Sequence, residues 1–358
     1  MKLDHEFCLK RQARLRQALT DKKCDAALIT DRNHVYYFTN YWSRVITSQA
    51  LYVPVSGSAV LSSSYASDDL FVDDVRVFTS NDYATLRDDQ AWLALNGLRD
   101  ELRPTQRLGC DAALRPLPGD DDGRVDIVPA LLNMRRCKDA DEVAVIRHAI
   151  HGADAAYTEA RRILEPGITE IDVHAAMHAA AIRAVGEAIG EFGNDFRAGA
   201  GGGAPRVRAV EAGELMPLDI GVVVRGHNSD LCRTLSVDGD PTDVQHEAHA
   251  LVVAELDYVE KTVKPGVSCL QLFKDVQGRL DGTKGWSFQH HLGHGIGLHP
   301  HEAPRLNPHY DDTFQPGDVF TAEPGLYGDD LRAGIRLEHD YLVTETGLER
   351  LSHHPLDL

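Results

Sequence analysis

The chain has 358 residues, 43% hydrophobic and 26% charged. That length exceeds one ordinary hydrophobic core, so two globular domains are expected. A net charge of −18 excludes the basic footprint that nucleic acid or an anionic membrane requires of a partner.

Residues 5–21 read as an amphipathic helix, with Cys8, Leu15, Ala18 and Leu19 on one face. Short apolar runs follow, AALIT (26–30), VYYF (35–38), ALYVP (50–54) and SAVL (58–61), separated by polar or Gly/Pro breaks. DVRVF (74–78), a helix-like stretch over 87–102 and RLGCD (107–111) continue the alternation, which predicts an α/β domain over residues 1–133. The pattern changes near MRRCKDADEV (134–143), where a second domain, residues 134–358, begins. A long helix starts at Asp139 and stops at EPG (165–167), and Thr169 caps the next helix with Asp172 in capping-box position. The same grammar returns at KPG (264–266), where Ser268 is the cap. EPGIT (165–169) and KPGVS (264–268) lie 99 residues apart, pointing to an internal duplication.

The strand-like segments of this second domain carry the chemistry. LMPLDIGVVV (215–224) and LCRTLSV (231–237) flank RGHNS (225–229), a hairpin connection that would bring Asp219 and Asp230 together. VFTAEPGLY (319–327) and GIRLEHDYLVT (334–344) read as another strand pair, carrying Glu323 and Glu338. GHGIGLHPHEAP (293–304) holds His294, with His290, His291, His299 and His301 nearby. Each residue has a plainer reading: a strand-end aspartate, a turn carboxylate, a cross-strand salt-bridge ladder, a satisfied core histidine. Together, four carboxylates and one imidazole suffice to hold two divalent ions, the equipment of a hydrolase. Hard oxygen donors with one imidazole suit manganese, cobalt or zinc. GAGGG (199–203) lacks the Lys-Ser/Thr of a phosphate loop, and no GxSxG elbow is present.

In this order, LDIG (218–221), SDLCRT (229–234), GHGIGLHPHE (293–302), AEPG (322–325) and RLEHD (336–340) resemble the metallopeptidases of the pita-bread fold, including methionine aminopeptidase, aminopeptidase P and prolidase. DRNHVYYFTNY (31–41) is similar to the creatinase-like domain that precedes the prolyl members. The implied fold is α+β: a pita-bread catalytic domain with pseudo-twofold duplication, preceded by an α/β creatinase-like domain. The resemblance implies Asp219 on one ion, Asp230 and Glu338 bridging both, and His294 and Glu323 completing the second. It implies Mn²⁺ or Co²⁺, with Zn²⁺ an option. Glu323 would move the proton, His301 would bind the developing oxyanion, His290 would contact substrate and Arg336 would meet a substrate carboxylate.

The expected reaction is hydrolysis of the bond before proline in Xaa-Pro dipeptides; aminopeptidase P activity on longer peptides is the near alternative. A non-catalytic peptide-binding module and a two-metal phosphoesterase are the readings of other classes. One departure stands out. These enzymes usually carry a histidine after a proline upstream of the first aspartate, whereas GGGAPRVRAVEAG (201–213) has none, leaving Arg206 or Arg208 as candidate replacements. A homodimer is expected, with YWSR (41–44) as a candidate lid across its interface. Six cysteines without a CxxC pair, and an N-terminus without a signal-peptide core, lead to an expectation of free thiols and a cytoplasmic location.

Overall fold

The structure is a computed structural model that describes residues 2–43, 46–83, 86–111, 114 and 123–358. The chain divides into two compact units, Met1–Arg135 and Arg136–Leu358. Among the described residues, no helix is long and apolar enough to cross a membrane. All six cysteines are free.

The first unit opens with α1 (His5–Asp21), capped by Asp4 and burying Cys8, Leu15 and Leu19. β1 (Ala26–Ile29) is buried throughout. The apolar run VYYF lies in α2 (Arg32–Thr39), not in a strand. The cause is local: the Asp31 carboxylate accepts the Asn33 and His34 N–H groups, and Asn40 ends the helix in the left-handed region at φ 60°. β2 (Ala50–Pro54), β3 (Val60–Ser63), β4 (Asp74–Val77), α3 (Arg87–Asn96), β5 (Leu108–Cys110), β6 (Arg124–Asp126) and α4 (Val128–Arg136) follow. The strands form one mixed sheet in the order β4-β3-β2-β1-β5-β6.

The second unit is built twice on one plan. α5 (Ala140–Ile163) ends before Pro166-Gly167, and α6 (Glu170–Val185) follows its Thr169 cap. Then come β7 (Leu215–Ile220), β8 (Val223–Val224), β9 (His227–Asn228) and β10 (Leu231–Ser236). In the second half, α7 (Asp243–Thr262) ends before Pro265-Gly266, and α8 (Cys269–Leu280) follows its Ser268 cap. β11 (Gly293–Gly295), β12 (Glu302–Leu306), β13 (Val319–Ala322), β14 (Gly325–Gly328), β15 (Ala333–Arg336), β16 (His339–Val343) and β17 (Leu348–Arg350) complete it.

The hydrogen bonds at the two Pro-Gly stops repeat. Gly167 N–H donates to Val210 O and Gly266 N–H to Phe314 O, both at 2.9 Å; Val210 N–H returns to Ile168 O and Phe314 N–H to Val267 O. Both glycines have left-handed φ, 101° and 89°, a conformation that would strain any side chain. The duplication is therefore one of backbone geometry as well as of letters.

β7 and β10 pair antiparallel, with Asp219 opposite Cys232. β8 and β9 form a tight hairpin within the connection expected over 225–229, so that His227 and Asn228 pair as a strand and the turn shortens to Arg225 and Gly226. Its turn residues Arg225 and Gly226 have φ 47° and 82°, the positive pair a two-residue primed turn demands. In the second half, β12-β11-β13-β16-β17 form a five-stranded sheet, and β14 pairs with β15. The buried core of this half runs from Val252 and Leu256 of α7 through Phe273 of α8 to Phe320 and Tyr341.

Candidate metal centre

One backbone bond ties the two strand systems together beside the aspartates: Glu338 N–H donates to Cys232 O at 3.0 Å. Cys232 is the register partner of Asp219, so Glu338 arrives beside both aspartates. Glu323 follows β13 and Glu338 precedes β16; Ala322 and His339, their chain neighbours, pair across those strands. The Glu323 N–H donates to Leu292 O at 2.8 Å, tying it to the start of β11.

The glycines around His294 serve backbone packing. A Cβ at Gly293 would collide with the Thr321 carbonyl, and one at Gly295 with the Ala303 carbonyl. β11 therefore lies tightly between β12 and β13, and the register slips between His294 and Gly295.

All five expected ligands line one cavity of about 340 Å³, together with His290, His291, His301 and Arg336. His294 Nε2 lies 3.5 Å from a Glu323 oxygen and 3.7 Å from Asp230 Oδ2. Asp230, His294 and Glu338 each offer one donor atom within 4.8 Å of the others. Glu338 Oε1 accepts the Thr321 hydroxyl, whereas Glu338 Oε2 is buried without any hydrogen-bond partner. An orphaned buried carboxylate oxygen is costly unless a cation meets it.

The electrostatics point the same way. Burial raises the pKa of Asp230 well above the usual carboxylate range, and the charges of Glu338, Asp219 and Glu323 raise it further. Glu323 is likewise raised, by burial and then by Glu338 and Asp219. Burial and Asp219 push Glu338 up to about 8. Burial lowers His294 to about 3, with His301 and His291 adding to the shift. Crowded acids beside neutral imidazoles are a donor set lacking its counter-charge, and divalent cations fit it.

Arg336 is shared within the wall. One terminal nitrogen donates to Asp219 Oδ2 at 2.7 Å and also to Asp195, and the other donates to the Tyr327 hydroxyl at 3.0 Å. His290 Nδ1 lies 2.7 Å from the His291 carbonyl, so it must be the donor there. Burial lowers the His290 pKa to about 4, so Nε2 is left as the acceptor of the Tyr327 hydroxyl at 2.9 Å. The resulting chain, Arg336 to Tyr327 to His290, orients the cavity wall. His301 stacks on His294, with ring centroids 3.7 Å apart and planes 13° apart.

Sequence reasoning missed Asp195, Tyr327 and Thr321. Asp195 reaches the site because residues 193–195 run beside β7, where Asp195 bridges to Asp219. A Cβ at Gly193 would strike the Asp219 carbonyl, and that close approach is the one signal the sequence held. Arg206 and Arg208 do not reach the cavity. Arg206 donates from its backbone N–H and its Nε to the buried Glu170 at 2.9 Å each, and Arg208 pairs with Glu214. The side of the cavity facing the 190s is lined by Glu191, Asn194 and Asp195 instead. Arg44 of the candidate lid lies outside the described residues.

Clustered carboxylates and imidazoles on a duplicated α+β scaffold define a metal-dependent hydrolase. Residues 144–345 match the model of metallopeptidase family M24, and residues 11–117 match the creatinase/prolidase N-terminal domain. The chain belongs to metallopeptidase family M24.

An uncharacterized peptidase of Staphylococcus aureus (strain USA300) is 28% identical over 356 residues, covering 94% of this chain and 97% of its own. The uncharacterized peptidase YqhT of Bacillus subtilis (strain 168) is 29% identical over 240 residues, covering 65% of this chain and 67% of its own. Among solved structures, dipeptidase PepE of Mycobacterium ulcerans superposes with TM-score 0.78 at 24% identity, covering 100% of this chain and 99% of its own. The prolidase of Pyrococcus horikoshii OT3 has TM-score 0.75 at 22% identity, covering 97% and 99%. The X-Pro aminopeptidase of Thermotoga maritima has TM-score 0.76 at 23% identity, covering 97% and 98%. These likenesses establish the pita-bread architecture with its creatinase-type N-terminal domain.

Proposed function

We propose that the chain is a dinuclear metallopeptidase that hydrolyses the bond before proline, with Xaa-Pro dipeptides as its preferred substrates. The observation that carries this is the convergence of Asp219, Asp230, His294, Glu323 and Glu338 on a single cavity of about 340 Å³. Ligand sites span roughly 300–1,000 Å³, so this cavity is at the small end and suits a short peptide.

Asp219, Asp230, His294, Glu323 and Glu338 would hold the ions, with Asp219 serving one, His294 and Glu323 the other, and Asp230 and Glu338 available to both. Bound Mn²⁺, Co²⁺ or Zn²⁺ would supply Lewis acidity to the scissile carbonyl and make water acidic near neutral pH. The residues do the rest. Glu323 takes the proton from the attacking water and returns it to the departing proline nitrogen. His301, beside His294, donates to the oxygen on which charge develops. His290, its tautomer held by the His291 carbonyl and Tyr327, contacts the substrate at the cavity wall. Arg336 would meet a dipeptide's free carboxylate, in competition with Asp195 and Asp219.

Cleavage of Ala-Pro and Ala-Pro-Ala by metal-free and reloaded protein tests the reading. Chelation should abolish cleavage, and Mn²⁺ or Co²⁺ should restore it with Ala-Pro faster. A faster tripeptide moves the assignment to aminopeptidase P. No cleavage of either by metal-loaded protein sinks the peptidase reading.

A further inference from the structure

We propose that His291 is a sixth protein ligand of the centre, giving the ion held by His294 and Glu323 a second imidazole and a preference for zinc over manganese. The inference rests on the dinuclear reading above.

His291 Nε2 lies 3.1 Å from Glu323 Oε1, and His294 Nε2 lies 3.5 Å from that same oxygen. Donors about 2.0–2.2 Å from one zinc, at ordinary coordination angles, stand roughly 3–3.5 Å from each other. Each of the two nitrogens thus stands from the shared Glu323 oxygen at the separation of two donors on one ion. His291 also joins His294 and His301 in a group whose three nitrogens all lie within 4.8 Å of one another.

The direction of the ring matters as much as the distance. His291 Nε2 is buried yet makes no hydrogen bond. The Glu323 oxygen is near enough, so it must lie off the axis along which Nε2 donates a proton or a lone pair. A hydrogen-bonding histidine would point at the carboxylate; this one points beside it, where an ion shared with the carboxylate would sit. The rest of the ring is about one-third exposed, at 32% of the side chain, so the buried Nε2 is the end turned inward. The sequence supplies the spacing: His291 and His294 are three residues apart in HHLGHG (290–295), the first just before β11 and the second within it.

The consequence is selectivity. Carboxylate and water donors suit manganese, whereas each added imidazole favours zinc. With His291 the two ions become chemically unlike: one is held by oxygen donors alone, the other by two imidazoles and carboxylates.

Metal binding to the full-length protein tests this without reference to catalysis. The metal-free protein is titrated with Zn²⁺ and Mn²⁺, singly and in competition, and with Co²⁺ while its visible absorption is followed. Wild type should bind two ions per chain. His291→Ala should weaken zinc at one site by about 100-fold and manganese by less than about tenfold, and should alter the cobalt spectrum. Equal losses for both metals with an unchanged cobalt spectrum overturn the proposal, leaving His291 as a neighbour that orients Glu323. His291→Gln repeats the test should the alanine variant fail to fold. X-ray absorption of zinc-loaded wild type counts imidazoles directly: an average of one per zinc supports the proposal, and one shared between two zincs overturns it. Wild type that binds fewer than two ions overturns the dinuclear centre itself, whereas a two-ion wild type indifferent to His291→Ala overturns only the ligand.

Discussion

The two halves of the catalytic unit share a scaffold and divide the chemistry. Each has a long helix, a Pro-Gly stop with the same pair of backbone bonds, a capped helix and a strand system that faces the cavity. Yet of the five expected ligands the first half offers only the two aspartates, while the second offers both glutamates and the imidazole, and every histidine lining the cavity comes from it. The short aspartates sit close to the backbone of β7 and just before β10. Their positive counterweight, Arg336, comes from the opposite half. Longer glutamates at the end of β13 and just before β16 reach across, and the glycines of β11 let His294 lie against the strands. Duplication thus supplied symmetry of position, and divergence of side chains supplied an acidic wall and an imidazole wall.

The largest expected effect tests whether that division is real. Asp230→Asn, on the acidic wall, should lower kcat/KM by at least about 10³-fold and reduce bound metal below two ions per chain. His301→Ala, on the imidazole wall, should keep both ions and lower kcat by about 10²–10³-fold. Metal counts by plasma mass spectrometry beside steady-state kinetics separate the two. If both variants lose metal equally, the walls are not distinct in function.

The carboxylate cluster that the two walls form together also makes a prediction about stability. Its carboxyl groups have pKa values raised by folding: Glu338 moves from 4.5 to about 8. The folded metal-free protein therefore holds protons that the unfolded chain releases. Stability from this source is fully present below the unfolded pKa near 4.5 and is lost as pH rises through about 8. The Tm of metal-free protein should fall across that window, and the gain in Tm on adding Mn²⁺ should grow with pH. Calorimetry at pH 5, 6.5 and 8 reads both. A metal-free Tm that holds steady or rises means the acids are relieved by something other than a cation.

Much of this architecture was legible in the letters, and the reasons are specific. Pro-Gly stops followed by Thr169 and Ser268 name helix ends because their geometry is local. Arg225-Gly226 names a turn for the same reason. VYYF was ambiguous, since four apolar residues fit a strand or a helix, and the Asp31 cap decides between them. The five candidate ligands could be picked out by context and order, and the structure brings them to one cavity. Their partners could not. Asp195 and Tyr327 enter through contacts with Arg336 at sequence separations of 141 and 9 residues, neither of which leaves a periodic trace. Arg206 stood where the upstream histidine was expected, and only its neighbour Glu170 reveals why it cannot substitute.

The smallest effect concerns that substitution and separates two ways of gripping a substrate. Arg206 is bound to a buried glutamate and is absent from the cavity wall, so Arg206→Ala should leave KM for Ala-Pro unchanged. It should lower Tm by a few degrees, because Glu170 keeps its backbone donors but loses the guanidinium, at a cost of about 1–2 kcal/mol. Asp195 behaves oppositely. Under the proposed function its charge would compete with a substrate carboxylate for Arg336, while its Oδ1 also accepts the Gly203 N–H at 2.5 Å. Asp195→Asn keeps an oxygen for Gly203 and removes the competing charge. KM for Ala-Pro should then fall about threefold to tenfold, the scale of a partly screened ion pair near 1 kcal/mol. Ala-Pro-Ala, whose carboxylate lies one residue further on, should change less. A rise in KM for both peptides would mean that Asp195 holds Arg336 in its working position instead of withholding it, and the acidic wall would then include three aspartates acting together.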